Sequence, residues 1–421
     1  VSLALPTYVG VEIDAQEAGD HRRIGTLRRA GAGPLVAFAY DDAWAGDPDA
    51  FSIDPALGLY GGDQFPRGGT NIAGIFADAA PDRWGRTLLE RAERVRARSE
   101  GRRPRSLGEW EFLLRVSDAT RVGALRFVTD DGRHLDDGPS TVPPLTRLRD
   151  LEAAARELDE SGQLGADEGR SLALLLAPGS SLGGARPKAN FEGEDGELWI
   201  AKFPSNADRH DVGACEYLLN ELAARVGIDV PVHRLLSLGP RHGTFAAKRF
   251  DRSGRGRHLY ASAMTLCGRR DGEEASYLDI ALAIADHADP AGIEADLAQL
   301  YRRLAFNVLT SHRDDHLRNH GFLRGPDGWR LAPAFDLNPT PGKLGHELSI
   351  DGASREGDIE LVRDAASFFR LSAGRADAII EEVSAVVSRW RDIASTVPLG
   401  VQEVGLLEEA ILADGAQKES T

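Results

Sequence analysis

Nine residues constrain this chain more than any others. Ser311 to Asn319 read Ser-His-Arg-Asp-Asp-His-Leu-Arg-Asn, a His-Arg-Asp followed by four residues and an asparagine. A carboxylate and a carboxamide five positions apart on a tight loop suit phosphoryl transfer. That reaction needs a carboxylate beside the attacking hydroxyl, to orient it and take its proton. It also needs oxygen ligands for Mg2+, which offsets the phosphate charge. On this reading Asp314 is the base and Asn319 a metal ligand. The plain alternative is a charged surface loop that caps a helix.

A second stretch sharpens the choice. Leu331-Ala332-Pro333-Ala334-Phe335-Asp336-Leu337-Asn338-Pro339 is an apolar approach to one aspartate, followed by an Asn-Pro turn. It places a carboxylate at the end of a rigid element, as a second Mg2+ ligand requires. By itself the stretch is equally an Asx-turn closing a loop. Asp336 follows Asn319 by 17 positions, similar to the spacing between catalytic loop and metal-binding aspartate in kinases.

Upstream, Gly179 to Lys188 (GSSLGGARPK) is glycine-rich. Glycines let backbone N–H groups approach phosphate oxygens, and Lys188 adds charge. The next strand, ELWIAKFPS, carries Lys202, placed to contact the α- and β-phosphates. Glu216 on the following helix is a candidate partner for it, or simply part of a solvated helix face. Only five lysines occur (Lys188, Lys202, Lys248, Lys343, Lys418), which leaves 45 arginines among the 50 basic residues. Where arginine is the default cation, a retained lysine points to a need for a compact ammonium.

The histidines offer a competing chemistry. His312, His316 and His320 recur at i, i+4 and i+8 with Asp314 and Asp315 between them, a transition-metal pattern if the segment were helical. Gly321 and the apolar Phe322-Leu323 argue instead for a loop feeding a strand, which splays these side chains apart. His316 then orients the loop or lines the nucleotide site.

The rest of the chain fits a two-lobed α+β protein. Residues 1–128 read as an α/β subdomain, with strands in PLVAFAYD and RFVTD and a helix from Arg83 to Ala97 capped by Asp82. The polar, Gly- and Pro-rich 129–144 is the linker. Residues 145–266 form a smaller lobe: a helical stretch over Leu145–Leu176, the Gly-rich loop, the Lys202 strand, a helix over Asp211–Val226 and a strand over Gly243–Phe250. Residues 267–414 form a mainly helical lobe broken by His312–Asp336, and 415–421 are a tail. Hydrophobic residues make up 42 %, enough for a sizeable core, and the net charge of −16 disfavours nucleic-acid binding by the whole surface. No apolar run approaches the roughly 18 residues of a membrane span. The opening residues lack a signal-peptide pattern, and two distant cysteines in no metal-ligand pattern fit a reducing cytoplasm.

At these residues the chain resembles the HipA family, the kinase toxins of bacterial toxin–antitoxin modules. Phe76 to Arg86 (FADAAPDRWGR) is similar to the family's PD-x-WGR signature. SSLGGARPKA, the strand around Lys202, KRFDR at 248–252, RDDHLRN and PAFDLNP recur in family order. The resemblance implies a serine/threonine kinase fold that uses ATP and Mg2+. It implies that Ser181 (or its neighbour Ser180) is an autophosphorylation site, that Gly183, Gly184, Ala185, Arg186 and Lys188 form the phosphate loop, and that Lys202 contacts ATP. Met264 to Leu266 align with the adenine hinge. Asp314 matches the base, His316 to Asn319 the nucleotide- and metal-contacting loop, and Asp336 a Mg2+ ligand. It further implies a helix-turn-helix antitoxin similar to HipB, operator DNA bound mainly through that partner, and a translation component, such as an aminoacyl-tRNA synthetase, as substrate. Departures are Arg318, where lysine is common, and Asp315, a second carboxylate beside Asp314 that either alters metal affinity or leaves the site unchanged. A small-molecule kinase on a related scaffold and a non-catalytic antitoxin–DNA scaffold are the alternatives.

Overall fold

In the computed structural model, alternating burial sets the first sheet. The described residues are 5–15, 20–31, 33–135, 142–160, 168–176, 184–239, 242–254 and 256–411. They divide into two compact units, one of residues 1–207 with 248–261, the other of 208–247 with 262–421.

In the first unit, β1 (Tyr8–Ala15) buries Val9, Val11 and Ile13. It lies between β2 (Asp20–Arg29) and a later strand, and β2 pairs in turn with β3 (Val36–Tyr40); all are antiparallel. The register of β1 on β2 shifts between Val11 and Glu12, a bulge that re-aims the side chains beyond it. Next come α1 (Arg83–Ser99), α2 (Glu109–Leu114) and β4 (Leu125–Val128), the second partner of β1. The long helix expected over Leu145–Leu176 begins as a 3-10 turn at Leu145–Arg147. It continues as α3 (Leu148–Glu160) and α4 (Glu168–Leu176), with the intervening residues outside those described. The unit also holds the hairpin of β5 (Lys188–Glu192) and β6 (Leu198–Lys202).

The second unit opens on α5 (Val212–Arg225), capped by Asp211, whose carboxylate accepts from Ala214 N at 2.9 Å. The hairpin of β7 (His233–Leu236) and β8 (Thr244–Lys248) follows. Then come α6 (Tyr277–His287) and α7 (Ile293–Leu309). Helix α7 is the spine, burying Leu297, Leu300, Tyr301, Leu304, Phe306 and Val308. After it lie the hairpin of β9 (Gly321–Arg324) and β10 (Trp329–Leu331), then α8 (Ile359–Asp364) and α9 (Ala373–Val387). Tyr301 on α7 donates to Val362 O at 3.0 Å and packs edge-on against Phe369. These contacts tie the middle of α7 to α8 and to the residues that follow it. Among the described residues no helix is long and apolar enough to cross a membrane.

Candidate active site

Helix α7 ends at Leu309, and the chain reverses through Ser311, whose φ of 48° lies in the left-handed region. Few non-glycine residues adopt that conformation, and those that do cluster at functional turns. The reversal is held by His312 N donating to Asn307 O at 2.9 Å. A second segment then comes alongside. Thr340 N donates to Ser311 O at 2.9 Å, Arg313 N to Thr340 Oγ1 at 2.8 Å, and His312 Nδ1 to Asn338 O at 2.7 Å. The loop bearing Asp314 and the segment bearing Asp336 are thus laced together within one unit. Asp336 is itself left-handed, with φ 61°, a conformation aspartate tolerates better than most residues.

The two adjacent aspartates face opposite ways. Asp314 is exposed; its Oδ1 lies 2.7 Å from Lys343 Nζ, which also lies 2.7 Å from Glu347 Oε2. Asp315 is buried. Its Oδ2 accepts from the Tyr277 hydroxyl, from Asn307 Nδ2 at 2.9 Å and from His320 Nε2 at 2.8 Å. Burial alone would raise its pKa. The charge and hydrogen bond of His320, the charge of His312 and the Tyr277 hydroxyl outweigh burial and hold Asp315 well below the ordinary carboxylate range. Tyr277 is pushed the other way, by burial first and then by the charge of Asp315. Asp315, read from sequence as a second carboxylate that either alters metal affinity or leaves the site unchanged, is the buried anchor of the loop.

Asn319 ends the 3-10 turn Leu317–Asn319. Its backbone N donates to His316 O at 2.8 Å and its Nδ2 to Asp314 O at 3.2 Å. Its Oδ1 is buried without a hydrogen-bond partner among the described residues, as is His316 Nδ1. Buried oxygens are almost always satisfied, so an orphaned acceptor on the loop that carries the exposed Asp314 carboxylate is a candidate place for an outside ligand. A hard oxygen-binding cation such as Mg2+ fits that donor set. A small cavity behind the loop is lined by Arg303, Asn307, Asp315, Asn319, His320 and Phe335, among others. His312 and His320 converge on Asp315, with contacts of 3.8 and 2.8 Å, and the segment is not α-helical, so the helical three-histidine arrangement does not form.

Met264 and Leu266, the hinge candidates, lie in a helical turn, Ala263–Leu266, capped by Ser262. Ala263 N donates to His320 O at 2.7 Å, which seats this turn on the acidic loop. Glu216 is buried on α5, not on a solvated face.

In the first unit, the predicted phosphate loop is described from Gly184 onward; Ser180, Ser181 and Gly183 lie outside the described residues. Gly184 has φ 69°, which a side chain would strain. Lys188, read as added charge for the loop, is wholly buried. Its ammonium lies 2.7 Å from Asp82 Oδ2 and donates to Gly184 O at 3.2 Å. Asp82 also caps α1, accepting from Gly85 N at 2.8 Å, and Trp84 Nε1 donates to Lys188 O at 3.1 Å. Arg86 pairs with Glu109 through both terminal nitrogens at 2.7 and 2.8 Å. The P-D-x-W-G-R stretch is therefore the buttress of the strand that leaves the Gly-rich loop. Lys202, at the end of β6, stands opposite Lys188 in register and is buried.

The K-R-F-D-R stretch is also structural. Arg249 grips both oxygens of Asp251 at 2.6 Å and reaches Asn190 Oδ1 on β5 at 2.8 Å. Asp251 in turn accepts from Gly123 N at 2.8 Å. Burial opposes ionisation of Asp251, but the Arg249 and Arg252 charges prevail and hold it well below the usual range. Sequence reasoning missed Lys343 as a site residue. Its rarity as a lysine was the available signal.

Two family models match the chain: the HipA-like C-terminal domain over residues 180–390 and the HipA N-terminal domain over residues 18–128. A curated protein of Sinorhizobium fredii, named "Putative kinase Y4dM", is 32 % identical over 164 residues, 34 % of this chain and 38 % of that protein. The chain thus spans well under half the length of that relative. Among solved structures, a chain of the complex of HipA, HipB and operator DNA from the Shewanella oneidensis MR-1 toxin–antitoxin system matches with a TM-score of 0.69. The identity is 16 %, over 96 % of this chain and 94 % of that one. At that identity the likeness speaks for the fold.

Proposed function

The chain belongs to the HipA family, and on that premise we propose that it is a Mg-ATP-dependent serine/threonine protein kinase, the toxin of a toxin–antitoxin pair. The observation that carries the reading is the pairing of an exposed Asp314 carboxylate with the buried, unsatisfied Oδ1 of Asn319 on one laced loop.

Asp314 takes the proton of the attacking hydroxyl as its oxygen forms the new bond to the γ-phosphorus of ATP and ADP departs. Asn319 and Asp336 are the residues that would hold Mg2+, which supplies charge compensation for the phosphates. Lys343 orients Asp314 until substrate arrives. Gly183, Gly184, Ala185, Arg186 and Lys202 serve the phosphates. Lys188, fixed by Asp82, serves them indirectly by pinning the loop. Met264, Leu266 and His316 serve the nucleoside end. Ser181 is the proposed autophosphorylation site. The proposed domain limits are those at residues 128, 144, 266 and 414.

The proposed partners are a helix-turn-helix antitoxin similar to HipB and, through it, operator DNA. The support is membership of the family, together with a structural neighbour that was solved in complex with HipB and operator DNA. A translation component such as an aminoacyl-tRNA synthetase is the proposed substrate.

The test is transfer of the labelled γ-phosphate of ATP to protein, in wild type and in Asp314→Ala. We expect incorporation on Ser or Thr in wild type and its loss in the variant, with nucleotide binding retained. Wild-type incorporation by Asp314→Ala would refute the assignment of the base. Label appearing on a small molecule and not on protein would refute the protein-kinase reading.

A further inference from the structure

Far along the sequence from the acidic loop, the first unit gathers two imidazoles and a carboxylate that the kinase reading does not use. Glu12, His21 and His134 each bring one ligand atom to a common point, and those atoms all lie within 4.8 Å of one another. Both histidines present the same nitrogen, Nε2, to the same oxygen, Oε2 of Glu12. His21 is in close contact with it and His134 lies 3.3 Å away. The rings are stacked, with centroids 5.4 Å apart.

Sheet geometry explains the convergence. The bulge between Val11 and Glu12 resets the register, so that Glu12 stands opposite Arg23 on β2. His21, two residues from Arg23, is then the diagonal neighbour of Glu12 on the same face, within reach of long side chains. On the other side, Gly10 pairs with Val128 of β4, and Val128 forms a bridge with His134. Gly10 lies two residues from Glu12 on that face and carries no side chain to interfere. Asp14, opposite His21, is occupied by Arg126 at 3.0 Å and stands outside the cluster.

We propose that Glu12, His21 and His134 form a transition-metal site, suited to Zn2+, with its fourth position left to water. Two imidazoles and one carboxylate with an open position is a common zinc donor set, and ligands about 2.0–2.1 Å from a tetrahedral ion lie about 3.3 Å apart. Binding requires each Nε2 lone pair to be free, which a neutral ring achieves by carrying its proton on Nδ1, and bonds to the ion replace the His–Glu hydrogen bonds. The bound ion ties the β1–β2 hairpin to the segment that follows β4. That role is independent of phosphoryl transfer.

The full chain, freed of metal by a chelator, is titrated with Zn2+ by calorimetry and with Co2+ by visible absorption. We expect one site, tetrahedral Co2+ bands and a higher melting temperature with Zn2+. His21→Ala, His134→Gln and Glu12→Gln should each weaken binding at least tenfold and lose the Co2+ bands, while their metal-free melting temperatures stay close to wild type. Absence of tetrahedral bands, or binding unchanged in all three variants, overturns the site. Glu12→Gln keeps the shape of the side chain and guards against a variant that fails to fold.

Discussion

Lys188 Nζ lies 2.7 Å from Asp82 Oδ2, joining positions 106 residues apart, and both side chains are buried. A buried ammonium without its counter-ion costs far more than the intact pair contributes. Asp82→Ala should therefore destabilise the protein by about 3–5 kcal/mol, the α1 cap being lost as well. Adding Lys188→Met should restore part of that loss. Thermal melting of the two single variants and the double variant checks the coupling.

Asp314 and Asp315 are neighbours with opposite expected phenotypes. Asp314→Ala removes a largely exposed carboxylate whose ion pair is solvent-screened, so stability should change by less than about 1 kcal/mol. Asp315→Ala strands the hydroxyl of Tyr277, the amide of Asn307 and the ring of His320, and should cost roughly 3 kcal/mol or more. Denaturant titration of both variants separates them.

Asn319→Leu divides structure from ligand binding. The change removes an acceptor that is already unsatisfied and one hydrogen bond to Asp314 O, so about 1 kcal/mol of stability is at stake. Phosphoryl transfer should fall at least a hundredfold, and raising the Mg2+ concentration should recover little of it. Rates measured across a Mg2+ series check this.

His346 predicts an acid-labile step. The ring is buried and neither nitrogen has a partner among the described residues, and burial pushes its pKa down to about 4 from 6.5. Between those values the unfolded chain binds a proton that the folded chain refuses. Stability is then fully present above pH 6.5 and declines as pH falls toward 4, by roughly 3 kcal/mol in total. His346→Gln should flatten that slope in melting temperatures measured from pH 7 to pH 4.

Much of this architecture could be read locally. Asp82 and Asp211 stand just before amphipathic runs, and each caps the helix that follows. The acidic loop and the Asp336 segment are marked by residue type and spacing alone. What stayed hidden depends on contacts between distant positions. No periodicity announces that Lys343 reaches back 29 residues to Asp314, or that Lys188 turns inward to Asp82. Nor does sequence reveal which of two consecutive aspartates faces inward. That follows from where Tyr277 and Asn307 sit on α6 and α7. The meeting of Glu12, His21 and His134 needs a register shift that side-chain alternation does not encode.

The left-handed backbone at Asp336 bears on what a saturation library at that position would return. Two filters act there at once. The backbone admits glycine, asparagine and aspartate readily and rejects β-branched residues, whereas the proposed role as a Mg2+ ligand calls for the negative charge of aspartate or glutamate. Aspartate alone passes both. A screen for folded protein should recover glycine and asparagine freely, and a screen for turnover should recover aspartate. Asp336→Glu would fail on shape and Asp336→Asn on charge, so the position can be dissected one property at a time.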